Sequence, residues 1–381
     1  MPSYVDISRK VIEWAVERSG IPADDYRQAV SAWLSGEKKP TYRQLREFAR
    51  RAMVPFGYLF LDEPPDETLP LPDYRTRQNT AVRRPSPNLL ETIFEMQRRQ
   101  DWMREDLIDK GQESLRFVAS ASIGDNIPTL ADRIRSVLQL ESHWAELQTH
   151  WEAALRVLRS RIEDAGILIF INGIVGNNTR RKLDPDEFQG FVLVDDVAPL
   201  IFVNGADYKV AQMFTIAHEL AHVWVGQSAL FDLVATESPE VAVEHYCNAV
   251  AAEFLVPAEL LIQAWPDTVS TAAAVAELAR RFKVSPIVVA RRAKDERLIS
   301  AEQFFEFYTR YMNREVVGRE TERSGGDFWK TQNTRLGRRF GRAVIAAAHE
   351  GRLSYSEAYD LTRLYGDTFD KYARLLDKRE A

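Results

Sequence analysis

The residues best suited to chemistry in this chain lie in the stretch FTIAHELAHVW, residues 214 to 224. His218 and His222 are four positions apart, so on a helix both imidazoles project from one face and can bind one tetrahedral metal ion. Glu219 points to the side of that face, where it can hold a metal-bound water and accept its proton. The alternative is a helix with two solvated or core histidines. Because the chain has only six histidines, a chance occurrence of this pattern is rare.

A site with two histidines needs a third protein ligand. The metzincin solution is excluded because Val225 and Ser228 stand where that class requires glycine and histidine. Another solution is a glutamate from a second helix. The segment SPEVAVEHYCNAVAAEFLVP, residues 238 to 257, predicts such a helix, and Glu244 shares one of its faces with small alanines. We therefore expect Glu244 to be the third ligand.

Three other acids compete with Glu244 for this role. Glu253 lies nine positions further along the helix and so points to roughly the opposite face. Glu237 and Glu240 lie at or before the start of the helix, where acids favour the helix dipole without binding a ligand. Position along the helix thus favours Glu244 over each of them.

The elements around these residues indicate an α+β centre between all-helical regions. The short apolar runs GILIFING and GFVLVDDVAPLIFVNG, bounded by Gly, Asn and Asp, are typical of strands. The histidine helix follows them, with Asp207 as its predicted cap and Gly226 as its predicted end. Amphipathic patterns on both sides of this centre predict helices.

The stretches FTIAHELAH and EHYCNAVAAEFLVP, with VNGAD at 203 to 207 before them, resemble the ImmA/IrrE family of metallopeptidases. The resemblance covers about residues 160 to 300. It implies a zincin-like core, a zinc ion held by His218, His222 and Glu244, and Glu219 as the general base. Asn248 matches a family asparagine whose role the motif does not define.

The resemblance also implies a mode of substrate binding and a mechanism. The family's edge strand, which aligns an extended peptide, would correspond to PLIFVNG. Zinc would activate a water molecule and Glu219 would move its proton to the leaving amine. Tyr246 and His245 are the candidate donors to the oxyanion. Such a donor set also accepts manganese or iron in place of zinc.

Two segments carry features of nucleic-acid binding. SAWLSGEKKPTYRQLREFARRA resembles part of a phage-repressor-like helix-turn-helix, but only twelve residues separate Gly20 from Trp33, about one short helix too few. The segment at 275 to 299 has the outline of a second helix-turn-helix. In both, a solvated basic face or a packing unit is the alternative to contact with DNA. The arginines concerned are Arg43, Arg46, Arg280, Arg281, Arg291 and Arg292.

Composition indicates the cellular location of the protein, and changes in pattern along the chain divide it into domains. The net charge is −6, Cys247 is the one cysteine, and the longest apolar run is far shorter than the roughly 20 residues of a membrane span. We expect a soluble cytoplasmic protein. The predicted domains are a degenerate helix-turn-helix-like domain (1–61), a Pro-rich linker (62–87), a helical lead-in with the peptidase core (88–257), a helical hairpin (258–300) and a helical C-terminal region (301–381).

These patterns predict a zinc-dependent endopeptidase that cleaves a regulatory protein, such as a DNA-binding repressor or an antitoxin-like partner. The alternative is a transcription regulator or toxin–antitoxin component in which the metal site is structural. A protein-interaction scaffold is a further alternative. Glu219 favours the enzyme, because zinc binding alone does not require it.

Overall fold

The computed structural model describes residues 4–26, 30–65, 85–207, 209–231, 239–266, 269–318 and 328–377. The described residues divide into two compact units, one ending at Phe94 and the other beginning at Glu95. Most of the predicted linker and the candidate ligand Glu237 lie outside the described residues.

The first unit is a small helical domain. It contains α1 (Arg9–Ser19), α2 (Val30–Leu34) and α3 (Tyr42–Ala52), with 3₁₀ turns at Ala23–Asp25 and Phe56–Phe60. α3 begins with a capping box, in which Thr41 and Gln44 exchange both hydrogen bonds. Trp33 packs edge-on against Phe48 in its core.

Thirteen further helices lie in the described part of the chain. They are α4 (Pro87–Asp109), α5 (Ile127–Val137), α6 (Trp151–Asp164), α7 (Lys209–Val225), α8 (Pro239–Leu255), α9 (Ala258–Ala264), α10 (Thr271–Phe282), α11 (Pro286–Asp295), α12 (Ala301–Gly318), α13 (Phe328–Leu336), α14 (Arg338–His349), α15 (Tyr355–Thr362) and α16 (Asp367–Asp377).

Four short strands form one mixed sheet, so the prediction of an α+β centre is confirmed. The strands β1 (Leu168–Asn172), β2 (Gly190–Leu193), β3 (Leu200–Asn204) and β4 (Ala229–Phe231) lie in the order β1-β3-β2-β4. β3 pairs with β1 in parallel and with β2 antiparallel, and β2 also pairs with β4 antiparallel.

The prediction that PLIFVNG forms an edge strand is wrong. This segment is β3, which has a hydrogen-bonded neighbour on each side. All five of its residues are buried. A short apolar run that is buried on both faces is typical of an interior strand.

The two faces of the sheet pack against different helices. Ile201 and Val203 face the core cluster that contains Ile216 and Leu220 of α7. On the opposite face Phe191 and Phe202 stack, with ring centroids 4.9 Å apart. α7 therefore lies on one side of the sheet and an aromatic layer on the other.

Helices far apart in the sequence cover this aromatic layer. Phe340 of α14 meets Phe170 of β1 with ring centroids 5.5 Å apart. The guanidinium carbon of Arg99 in α4 lies 5.2 Å from the Phe170 centroid, and its Nε donates to the carbonyl of Leu361. The C-terminal helices thus share a core with the sheet.

The aromatic layer leads to a stability prediction. Phe340 is 1% exposed, so we expect Phe340→Ala to lower the free energy of unfolding by about 3 to 5 kcal/mol. The matched control is Phe305→Ala in α12, where the ring is 63% exposed and its loss should cost little. Chemical denaturation of both variants measures the difference, and equal midpoints would contradict the shared core.

Among the described residues no single helix is long and apolar enough to cross a membrane. The segments Ala242–Leu255 and Ala258–Ala264 reach that length only as a pair, and they meet at a bend of 52°.

Candidate metal centre

The centre forms where α7 packs against α8. Small side chains at the contact, Ala217 and Ala221 of α7 and Ala251 of α8, are almost fully buried and allow the two helices to approach closely. Gly226 ends α7 as predicted, with φ at 81°. The backbone N–H groups of Ala119 and Ala121 donate to the carbonyls of Val223 and Trp224 at that end. The helix that carries both histidines is therefore held along its length and at its C-terminus.

His218, His222 and Glu244 converge on one point. The two Nε2 atoms are 3.0 Å apart, and each lies 3.1 Å from a different carboxylate oxygen of Glu244. Among the described residues, these three side chains form the group whose possible metal-ligand atoms all lie within 4.8 Å of one another. Both histidines are completely buried, whereas the Glu244 side chain is 20% exposed, so solvent reaches the cluster beside Glu244.

Burial and mutual contact set the charges of this cluster in the metal-free protein. Burial lowers the pKa of His218 to about 4, although hydrogen bonds with Glu244 and Asn248 oppose the shift. Burial alone would raise the pKa of Glu244, but hydrogen bonds and charge from the two histidines outweigh it and hold the pKa below its ordinary value. His218 is therefore a neutral imidazole near pH 7 and Glu244 is a carboxylate, which are the forms that bind a cation.

Glu219 lies beside the cluster and is also completely buried. Neither of its carboxylate oxygens has a hydrogen-bond partner among the described residues. Burial, with the charge of Glu244, raises the pKa of Glu219 well above its ordinary value. A buried carboxylate without partners is costly, which is typical of a group kept for chemistry rather than for stability.

The other residues predicted near the cluster are placed differently. Asn248 is half-buried, and its interaction with His218 opposes the lowering of the pKa of that imidazole. The Tyr246 hydroxyl donates to the backbone carbonyl of Asp125 at 3.1 Å. His245 is exposed on the next face of α8.

The competing acid Glu253 is engaged elsewhere. It is buried and forms an ion pair with Arg292, and it also accepts a hydrogen bond from the backbone N–H of Ala258 at 3.3 Å. Arg292 in turn donates to the carbonyl of Val256 and pairs with Glu296. The structure therefore places both Glu253 and the predicted nucleic-acid contact Arg292 in an internal network.

The remaining predicted nucleic-acid contacts are exposed. Arg43 and Arg46 lie on α3 of the first unit, where Arg43 pairs with Glu47. In the second unit α10 and α11 form the predicted helical hairpin, with Arg280 and Arg291 exposed. Arg281 pairs with Glu146 at 2.8 Å.

Two residues at the centre were missed by the sequence patterns. Cys247 is fully buried, and burial with the charges of Glu244 and Glu219 raises the pKa of its thiol. Gly190 begins β2 and lies against the Glu219 carboxylate. An isolated glycine in a strand indicates close approach of another group, and this signal was available in GFVLV.

Comparison with known proteins finds a peptidase profile over the part of the chain that contains His218, His222 and Glu244. Residues 162–294 match the profile of the IrrE N-terminal-like domain, Peptidase_M78, and residues 336–375 match a domain of unknown function, DUF8813. The chain is 34% identical over 91 residues to the radiation response metalloprotease IrrE of Deinococcus radiodurans, covering 23% of the chain and 28% of the relative. It is 37% identical over 91 residues to the same-named protein of Deinococcus deserti, covering 23% of the chain and 32% of the relative. Each match thus spans less than a third of the relative's length.

Proposed function

We propose that the protein is a zinc-dependent endopeptidase with a zincin-like core, because residues 162–294 match the IrrE N-terminal-like domain and part of the chain is similar to two IrrE metalloproteases. Its substrate is a regulatory protein, a DNA-binding repressor or an antitoxin-like partner. The observation that carries the proposal is the convergence of His218, His222 and Glu244 beside the buried carboxylate of Glu219.

The donor set fits zinc. Two imidazole nitrogens and one carboxylate form the ligand set of catalytic zinc sites that keep one position open. A tetrahedral ion with ligands about 2.0 to 2.1 Å away places neighbouring ligand atoms about 3.3 Å apart. The separations observed here are 3.0 and 3.1 Å. Manganese or iron would suit the same donors.

The proposed mechanism assigns the proton transfers to Glu219. Zinc, when bound, supplies Lewis acidity that polarises a water molecule and the scissile carbonyl. Glu219 accepts a proton from the water and delivers it to the leaving amine. Its oxygens suit this role because they make no hydrogen bond within the described residues. We assign Asn248 to orienting His218, and the exposed His245 is the remaining candidate donor to the oxyanion, because the Tyr246 hydroxyl donates to the carbonyl of Asp125.

The substrate backbone is proposed to lie along β4. An extended peptide adds to the edge of a sheet, and β3 is interior. At the β1 end α13 lies along the strand, and the α-carbon of Gly337 lies against the carbonyl of Ile169. β4 is the last strand at the other end of the described sheet and directly follows α7. Pairing there would bring a peptide beside the catalytic helix.

The regulator alternative is weaker because of the number of ligands. A structural zinc site needs four protein ligands. Over the described part of the chain, the cluster offers three. A regulator would also need a basic surface, and on α3 the exposed Arg43 is paired with the acidic Glu47. Its binding to DNA would fall steeply with salt.

Metal removal tests the proposal. We expect the zinc-loaded protein to generate new N-termini in a proteome of intact proteins, detected by mass spectrometry. Incubation with 1,10-phenanthroline should abolish them and added zinc should restore them, because the reaction needs the polarising ion. Stoichiometric zinc without any chelator-sensitive cleavage, together with salt-dependent DNA binding, would favour the regulator.

A further inference from the structure

Gly190 occupies a crowded position between the sheet and the catalytic helix. A β-carbon built on this glycine would lie 2.7 Å from the methyl carbon of Thr215, 2.9 Å from the carbonyl oxygen of Phe202 and 3.1 Å from Oε1 of Glu219. Thr215 and Glu219 are four positions apart on α7, so both side chains face β2 at this point. These three groups therefore border the space that a side chain at position 190 would occupy.

Space, not backbone conformation, explains the glycine. Gly190 is not among the residues with positive φ, so an alanine could adopt the same backbone. A glycine inside a strand lacks a side chain to pack and has a larger entropy cost than alanine. The residue on β2 that faces α7 two positions later is Val192, which is fully buried. The strand therefore carries a branched side chain on this face except where Glu219 approaches.

The three neighbours of Gly190 differ in how easily they can move. The Phe202 carbonyl belongs to β3, which is paired with β2 and β1. The Thr215 side chain is 2% exposed, and its hydroxyl donates to the carbonyl of Ala211 at 3.3 Å. The Glu219 oxygen is the end of a flexible side chain with no hydrogen-bond partner among the described residues. A side chain at position 190 would therefore meet two rigid neighbours, the Thr215 methyl group and the Phe202 carbonyl, and one group that can move aside, the Glu219 carboxylate.

We infer that Gly190 is a positioning residue for the general base. By leaving this space empty, it allows the Glu219 carboxylate to lie against β2 beside the cluster of His218, His222 and Glu244. The inference rests on the proposed function, since it concerns the group that we propose moves the proton. Gly190 lies on β2, outside both the H-E-x-x-H motif on α7 and the helix α8 that carries the third ligand.

The test is the Gly190→Ala variant of the full-length protein. In crystal structures of wild type and variant, we expect Glu219 Oε1 to move away from position 190 by a few tenths of an ångström, with the separations among the three donor atoms unchanged. With zinc bound, the variant should retain the metal but bind acetohydroxamate at least about tenfold more weakly by calorimetry, because the probe's hydroxyl donates to the displaced carboxylate. On any peptide that wild type cleaves, kcat should fall by at least about tenfold with KM little changed, because the general base is displaced from its productive position.

Two further variants separate positioning from simple destabilisation. Gly341→Ala creates a comparable clash away from the centre, 2.9 Å from the hydroxyl of Tyr372, and should lower the melting temperature without changing hydroxamate affinity. Adding Thr215→Ser to Gly190→Ala removes the methyl group in the closest contact. We expect this double variant to regain melting temperature but not hydroxamate affinity.

An unmoved Glu219 in the Gly190→Ala crystal structure, with wild-type hydroxamate affinity, would overturn the inference. Recovery of hydroxamate affinity by Thr215→Ser would also overturn it, because the effect would then come from helix packing. Failure of the proposed function looks different: a wild type that binds zinc and hydroxamate but cleaves no protein would leave the displacement of Glu219 measurable.

Discussion

Replacing Glu219 with glutamine is expected to lower peptide-bond hydrolysis by roughly 10²- to 10⁴-fold, the contribution of a general base. The amide has nearly the same shape but cannot accept the proton of the attacking water. Glu219 is not one of the three converging donors, so zinc content should stay at the wild-type level. Turnover of the best substrate from the N-terminal mapping, with zinc measured by mass spectrometry on the same samples, checks both halves of this result.

The stability of Glu219→Gln provides an internal control. The wild-type carboxylate is completely buried and without hydrogen-bond partners among the described residues, so its replacement by a neutral amide removes a costly group. We expect the melting temperature of the metal-free variant to equal or exceed that of wild type. Loss of activity together with loss of folding or zinc would show that Glu219 has a structural role instead.

Glu244→Ala is expected to abolish stoichiometric zinc binding. Glu244 contributes one oxygen toward each histidine at 3.1 Å and is the sole carboxylate of the cluster within the described residues. Changes to residues that only support a ligand weaken metal binding by about 10- to 100-fold, so loss of a ligand should exceed that range. Competition with a chromophoric chelator measures the affinity directly.

Glu253→Gln is the matched control for this prediction, since it alters another buried acid on α8. Glu253 pairs with Arg292 and not with the histidines, so we expect this variant to lose stability and keep its zinc. If Glu244→Ala retained tight zinc binding, the third ligand would have to be another residue, and the proposed centre would be wrong.

The helix patterns and the histidine motif could be predicted from the sequence because they depend on neighbours in the chain. The spacing of His218 and His222 places both on one helix face, whatever surrounds the helix. The capping box at Thr41 and the glycine end of α7 are likewise local, and both are present. The resemblance to the ImmA/IrrE family, drawn from the motifs on α7 and α8, is confirmed by the match of residues 162–294.

The order of strands was not readable in this way. The prediction of β3 as an edge strand came from the resemblance to the ImmA/IrrE family, yet β2 and β1 flank it. Which strands become neighbours depends on how the faces of the sheet are buried, and every strand here is short and apolar. Short apolar runs carry no signal that distinguishes an edge from an interior position.

The sequence by itself determined the residue types of the centre, the helices that carry them and the α+β character of the core. Only the tertiary structure decided that Glu244 reaches both histidines, that Glu253 is held by Arg292, and that Gly190 lies against Glu219. It also decided that Phe340, 170 positions beyond Phe170, packs on the aromatic face of the sheet. The physical reason is the distance along the chain over which each kind of interaction acts. Helix periodicity and capping arise within a few residues, whereas burial and contact across the sheet depend on how distant segments pack together.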